Sequence, residues 1–271
     1  MGGSDQKWTP EDVRLYMMGV HPGLAEQRAR FRRFPSEPRC KLCMVPFGGI
    51  GGAAFRLRGF ARSSNPLLCT KCTTELGKSG LSGVEIPCTL LFSDVRGSTA
   101  LGERMTPSDF HAFLDRFYKI ATKAIVDHDG VVDKLVGDEV IGLFFGGVSG
   151  PDHAGAAIRA ALDLADRAGL ARATPMGPIP IGTAVHTGDV FVGATGEHGT
   201  VEDFTALGDA VNTTARLASA AGAGEVLVSC TSGRAAHLPI EDREHRLLEI
   251  RGRSEPIEVV VLRGAGSGVT A

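Results

Sequence analysis

Residues 86–99 read Ile86-Pro87-Cys88-Thr89-Leu90-Leu91-Phe92-Ser93-Asp94-Val95-Arg96-Gly97-Ser98-Thr99, an apolar run closed by an aspartate and a Gly-Ser-Thr turn. The run Ile86 to Phe92 has the length and the bounding turns of a buried strand. A carboxylate where such a strand gives way to a helix can hold a divalent cation, while the backbone N–H groups of residues 95–99 face a polyphosphate. Aspartate is also a favoured helix-start cap, so Asp94 alone leaves both readings open.

Beyond this stretch, Thr106-Pro107 forms a helix start, with Thr as the cap, Pro at the first helical position and Asp109 in the first turn. The helix that follows carries Phe110, Phe113, Leu114, Phe117, Ile120, Ala121, Ala124 and Ile125 on one face, and Gly130 ends it. Two short apolar strands, Val131 to Val136 and Val140 to Phe145, flank the turn pair Gly137-Asp138 and predict a hairpin. An alanine-rich helix over Asp152 to Ala168 comes next. Pro180 to His186 and Asp189 to Val192 then read as strands around a Thr187-Gly188 turn. A helix over Asp209 to Ala220, a strand over Glu225 to Ser229 and strands near Arg246 to Ile250 and Ile257 to Leu262 complete the pattern. The order strand–helix–strand–strand–helix–strand is that of a ferredoxin-like α/β (α+β) sandwich.

The hairpin supplies a second carboxylate. In Lys134-Leu135-Val136-Gly137-Asp138-Glu139 the turn can bring Asp138 beside the end of the first strand. Two aspartates from adjacent strand ends suit a pair of Mg²⁺ or Mn²⁺ ions. An isolated Gly-Asp is ordinarily just a turn, and its position relative to Asp94 is what makes it a site.

These segments, together with Asp203-Phe204-Thr205-Ala206-Leu207-Gly208-Asp209-Ala210-Val211-Asn212-Thr213-Thr214-Ala215-Arg216-Leu217, resemble the class III adenylate and guanylate cyclase family over roughly residues 85–265. The resemblance implies that Asp94 and Asp138 bind two metal ions per active site, with the backbone carbonyl of Val95 completing one shell. It implies that Lys134 donates to adenine N1 and that Thr205 meets the exocyclic amine, making ATP the expected substrate. Many members carry aspartate where Thr205 stands; threonine occurs in one bacterial-type subclass that includes bicarbonate-responsive enzymes. Asn212 and Arg216, four apart on one helix face, match the residues that orient the ribose and neutralise charge at the α-phosphate. Arg251-Gly252-Arg253 aligns with a basic segment that contacts the triphosphate, with Arg251 as the candidate ligand. A homodimer with shared sites is implied as well. Guanylate cyclase is the alternative at the level of the enzyme, and a catalytically silent nucleotide-binding regulator is the alternative of another class.

Upstream, Cys40-Lys41-Leu42-Cys43 and Cys69-Thr70-Lys71-Cys72 offer four thiolates in two chelating pairs, the ligand set of a structural Zn²⁺ site. The separation exceeds the usual ribbon spacing, and four thiolates can equally hold an iron–sulfur cluster. The other cysteines, Cys88 and Cys230, lie in apolar strand-like stretches and read as core thiols. The expected organisation is a polar and basic segment over 1–39, a four-cysteine metal-binding module with linker over 40–83, the cyclase domain over 84–265 and a flexible tail over 266–271. Within the module, Gly48 to Gly52 breaks the sequence so that it lacks a sizeable core of its own and needs a metal. Thr73 to Gly83 reads as the linker.

Composition limits the alternatives. The 29 basic and 31 acidic residues leave a formal charge of −2, which argues against a nucleic-acid or membrane-surface protein as a whole. Arginines 28, 30, 32 and 33, with Arg56, Arg58, Arg62, Lys41 and Lys71, form a local basic concentration that reads as a solvated surface or as a site for a regulatory partner. No apolar run approaches the roughly 20 residues needed to span a bilayer, and Met1 to Pro10 lacks signal-peptide regions, so a cytoplasmic location is expected.

Overall fold

The amino-terminal helix α1 (Pro10–Met17) begins at a reciprocal cap: Asp12 N–H donates to the Thr9 hydroxyl at 3.2 Å and Thr9 N–H to the Asp12 carboxylate at 2.9 Å. After the proline-led α2 (Pro22–Phe31) come α3 (Gly49–Arg56) and α4 (Thr70–Lys78). The computed structural model describes residues 8–34, 36–63, 65–78, 83–170, 177–197, 201–250, 253 and 255–264. The expected tail, 266–271, lies outside them. Two compact units emerge, one of Met1–Ile86, Phe145–Pro151 and Asp189–Leu207, the other of Pro87–Phe144, Asp152–Gly188 and Gly208–Ala271.

In the first unit the glycine run is helical instead of broken, and α4 covers most of the expected linker. Gly52 fits here because a Cβ would meet the Phe47 carbonyl carbon at 2.4 Å, so the backbones approach as only glycine allows. The core that the Cys-rich stretch lacks comes from the preceding helices: Tyr16, Met17, Leu24 and Phe31 are buried with Leu42, Val45 and Phe55. Phe31 and Phe34 each meet Phe55 edge-on at 5.1 Å between centroids. Arg28, expected on a solvated face, instead donates to the carbonyls of Leu42 (2.6 Å) and Gly19 (2.7 Å), tying α2 to the first cysteine pair.

The chain continues through β1 (Gly83–Val95), α5 (Ser98–Arg104), α6 (Pro107–Asp127), β2 (Val131–Val136), β3 (Glu139–Phe145), α7 (Gly146–Ser149) and α8 (His153–Leu170). It then forms β4 (Ile181–Glu197), β5 (Val201–Leu207), α9 (Asp209–Ala220), β6 (Glu225–Ser229), α10 (Cys230–Ala235), β7 (Glu244–Leu248) and β8 (Ile257–Arg263). Among the described residues eight strands make one mixed sheet in the order β2-β3-β1-β4-β6-β8-β7, with β5 paired to β4. Its first four positions reproduce the ferredoxin-like order expected from the sequence. Helix α6 starts where Thr106 accepts Asp109 N–H at 3.2 Å, and its Phe113, Phe117, Ala121, Ala124 and Ile125 share one core with Ala157, Ala161 and Leu164 of α8.

One expectation fails instructively. Thr187-Gly188 is no turn; β4 runs through it for 17 residues. The glycine serves close packing: a Cβ on Gly188 would sit 2.9 Å from that of Ala210 on α9. Thr187 belongs to a polar seam through the core. His153 Nδ1 and Thr89 are joined at 2.8 Å, Thr89 and Thr187 at 2.8 Å, Thr187 and Ser232 at 2.9 Å, Ser232 and Ser229 at 3.0 Å, and Ser229 and His186 Nδ1 at 2.9 Å. Every buried hydroxyl in it therefore has partners on both sides.

Candidate active site

The second unit brings the two predicted aspartates together. β1 and β3 are neighbours in the sheet, and Val95 N–H donates to the Asp138 carbonyl at 3.1 Å, joining the strand ends. Gly137 takes the left-handed conformation, φ 60°, that closes the β2–β3 hairpin with Val136 opposite Glu139. Asp94 Oδ2 accepts from Arg96, and Asp138 Oδ2 accepts from the Ser98 hydroxyl. Asp94 Oδ1 is buried and accepts no hydrogen bond among the described residues. A buried carboxylate oxygen without a donor, next to a second carboxylate, is the environment an oxygen-seeking divalent cation completes, so the residues fit Mg²⁺ or Mn²⁺.

The electrostatics follow from this crowding. Burial, reinforced by the Asp138 carboxyl and resisted by Arg96, pushes Asp94 up to about 6. Burial also acts on Asp138, but the Ser98 hydroxyl and the proton-sharing Asp94 outweigh it and hold Asp138 below its usual value. Glu139, half-buried, is pushed up to about 7 by that burial and by the charges of both aspartates. The expected run of phosphate-facing amides is shorter than residues 95–99. Val95 N–H is bonded to Asp138 and Arg96 N–H donates to the Pro180 carbonyl at 2.6 Å, leaving residues 97–99 as the candidates.

Asn212 and Arg216 stand exposed on α9, whose opposite face buries Ala210, Thr213, Thr214, Leu217 and Ala218. Neither side chain turns into its own core, as a pair serving an external nucleotide requires. Lys134, half-buried on β2, pairs with Ile141 across a bulge. Thr205 is 7 % exposed on β5, opposite Gly193 of β4. Arg251 lies outside the described residues. Its neighbour Arg253 is anchored to α9, donating to Asp209 at 2.7 Å and Thr213 at 2.8 Å. The sequence pattern gives no side-chain role to Arg96, Ser98 or Glu139; all three stand within four residues of a predicted metal aspartate, which is the signal that could have found them.

In the first unit the four cysteines converge. Cys40, Cys43, Cys69 and Cys72 are at most 2 % exposed and their sulfurs lie within 4.8 Å of one another. The Cys40–Cys72 and Cys43–Cys69 sulfur distances are 3.8 and 3.7 Å. A tetrahedral zinc with bonds of about 2.3 Å demands sulfur separations of about 3.8 Å. Tyr16, 3 % exposed, donates its hydroxyl to Cys72 Sγ at 3.0 Å, and Cys69 N–H donates to Cys40 Sγ at 3.4 Å.

The model of the adenylate and guanylate cyclase catalytic domain matches residues 85–263, and the chain belongs to that family. An adenylate cyclase of Anabaena cylindrica is 31 % identical over 156 residues, covering 54 % of this chain and 31 % of the relative. Adenylate cyclase 1 of Rhizobium meliloti is 25 % identical over 188 residues, covering 65 % and 27 %. The chain thus spans less than a third of these curated relatives. Among solved structures, the guanylyl cyclase Cya2 superposes with a TM-score of 0.62 at 25 % identity, covering 70 % of this chain and 98 % of that one. The adenylyl cyclase CyaB from P. aeruginosa gives 0.60 at 27 %, covering 68 % and 97 %. Catalytic domains of this family bind nucleotide, use divalent metals and work as dimers. No helix among the described residues is long and apolar enough to cross a membrane.

Proposed function

We propose that this chain is an adenylate cyclase, forming 3′,5′-cyclic AMP and pyrophosphate from ATP in a homodimer with shared sites. The observation that carries the reading is the juxtaposition of Asp94 and Asp138, with a buried Asp94 oxygen left without a donor. Bound divalent ions would lower the pKa of the ribose 3′-hydroxyl and neutralise the triphosphate. Asp94 and Asp138 hold them, with the Val95 carbonyl as a further ligand. Lys134 donates to the purine N1, an acceptor in adenine, and Thr205 meets the exocyclic amine. Asn212 orients the ribose, and Arg216 stabilises charge developing at the α-phosphate. Arg251 contacts the triphosphate.

The four-cysteine centre of the same reading holds a structural zinc, supported by the Cys40–Cys72 and Cys43–Cys69 sulfur separations of 3.8 and 3.7 Å, which match a closed tetrahedron of thiolates around that ion. A guanylate cyclase remains a second reading, favoured by the likeness to Cya2. Assay of the purified chain with ATP and GTP in Mn²⁺ separates them: cyclic AMP as the main product is expected, and cyclic GMP alone would replace this reading with the second.

A further inference from the structure

Cys230, at the start of α10, packs in the core as expected, 3 % exposed. Its sulfur also approaches His245 of β7 and Glu258 of β8, and the three ligand atoms lie within 4.8 Å of one another. Three neighbouring strands make this convergence. Ser229, at the end of β6, pairs with Val259, which sets Cys230 beside Glu258, and His245 pairs with Val260, two residues along β8, so His245 lies diagonally across from Glu258.

The hydrogen bonding of His245 defines what belongs at that point. Its Nε2 faces the Ile240 carbonyl at 2.8 Å, and a carbonyl only accepts, so Nε2 carries its proton. Its Nδ1 faces Glu258 Oε1 at 2.9 Å, and an ionised carboxylate also only accepts. Two acceptors, an imidazole lone pair and a carboxylate oxygen, sit together only with a cation between them. That cation is a proton or a metal ion. The outer nitrogen bonded to a backbone carbonyl is the arrangement that orients a metal-ligating histidine. Charges nearby are mixed: Arg234 acts on Cys230 and Glu258, and Glu241 acts on His245.

We propose that Cys230, His245 and Glu258 form a second divalent-metal site, separate from the four-cysteine centre and from the paired aspartates, and that zinc is its ion. One thiolate, one imidazole and one carboxylate form the mixed set that borderline Zn²⁺ accepts, with water in the fourth position. Binding replaces two protons, one from Nδ1 and one from the thiol, and both pass to solvent; the carboxylate is already ionised. The His245 and Glu258 side chains are 32 % and 50 % exposed, so the ion exchanges with solvent and is held less tightly than by four buried thiolates. The ion clips β7, which pairs only with β8 among the described strands, to the start of α10.

The test is a zinc count on the full chain, stripped with chelator, reloaded with zinc alone and freed of excess. Wild type should hold about two zinc ions, and Cys230→Ser, His245→Ala and Glu258→Gln about one. The double variant Cys40→Ser/Cys69→Ser should keep the zinc that Cys230→Ser loses. Because His245 and Glu258 are exposed, their variants fold even if Cys230→Ser does not. Zinc content unchanged in His245→Ala and Glu258→Gln overturns the site, whatever the four-cysteine centre does. Loss of all zinc in the Cys40→Ser/Cys69→Ser variant, with Cys230 intact and circular dichroism preserved for the β-sheet, overturns it as well.

Discussion

Arg96 donates one guanidinium nitrogen to Asp94 and the other to the carbonyl of Ser219 at 2.9 Å. A single side chain thus connects Asp94, a proposed metal ligand, with the last turn of the helix that carries Asn212 and Arg216. It also leaves Asp94 protonatable near neutrality, because one ion pair offsets only part of the burial and of the neighbouring carboxyl.

The pH dependence follows with a definite sign. Asp94 at about 6 in the folded chain stands above its unfolded value of about 3.9, so the folded state binds the extra proton. The metal-free protein gains stability from this group as pH falls through about 6 and loses it as pH rises; Glu139, at about 7, acts in the same direction. Asp138, held low, opposes them only in more acidic solution. Melting temperature against pH should therefore be flatter in Asp94→Asn than in wild type between about pH 5 and 7. Mn²⁺ must displace the Asp94 proton, so its affinity by calorimetry should fall about tenfold per pH unit below about 6. Parallel melting profiles would contradict the assignment.

Purine selection can be inverted. Lys134→Glu with Thr205→Cys presents an acceptor to N1, which guanine meets with a donor and adenine with a lone pair. The ratio of kcat/KM for ATP over GTP should drop by at least ~100-fold, as mismatched buried hydrogen bonding discriminates strongly. Unaltered selectivity in a folded double variant counts against Lys134 and Thr205 as the base readers.

Sharing of sites is open to complementation. Asp94→Ala and Arg216→Ala should each be nearly inactive, the second losing ~2–4 kcal/mol of charge stabilisation. Mixed and allowed to exchange, about half of the dimers contain one of each, and each such dimer has one intact site, giving about a quarter of wild-type activity. Exchange demonstrated by tagged pull-down, without recovery of cyclic AMP formation, rejects the shared site.

The four-cysteine centre should respond to a residue that is not a ligand. Tyr16→Phe removes the hydroxyl donor to Cys72 Sγ and should lower zinc affinity about 10–100-fold in chelator competition. Cys40→Ser with Cys69→Ser should release the zinc held there and expose the apolar core of α1 and α2 to proteolysis. A brown protein with labile sulfide would make the cluster iron–sulfur instead.

What the sequence discloses depends on whether the controlling contacts are local. Thr106-Pro107 announces α6 because cap, proline and acidic first turn lie within four residues. Asp94 and Asp138 were legible as a pair because strand ends bounded by turn residues have predictable places. Thr187-Gly188 misled because its glycine answers to Ala210, on a helix further along the chain, and not to its neighbours. Gly52 reads as part of a break in the sequence, yet it lies in α3 where the Phe47 backbone leaves no room for a Cβ, a demand that composition does not record. Arg28 looked like surface charge because nothing local reveals that the Leu42 and Gly19 carbonyls await it. Arg96 and Glu139 were passed over beside the aspartates they tune, since a pattern of motifs records ligands and not the charges that set their proton affinity.

The seam of hydroxyls in the core has an arithmetic of its own. Five links join His153, Thr89, Thr187, Ser232, Ser229 and His186, yet the four hydroxyls own only four protons. Burial, with Arg253 nearby, holds His186 down at about 4, and burial lowers His153 as well, so both rings are neutral at pH 7. The fifth proton must come from one Nδ1, and the other Nδ1 must be bare. The two rings therefore hold opposite tautomers, and every hydroxyl between them points from the donor ring toward the acceptor. Reversing one tautomer means reversing the whole row, so imidazoles at opposite ends of the seam share one bit of information, readable as paired ¹⁵N shifts that change together or not at all.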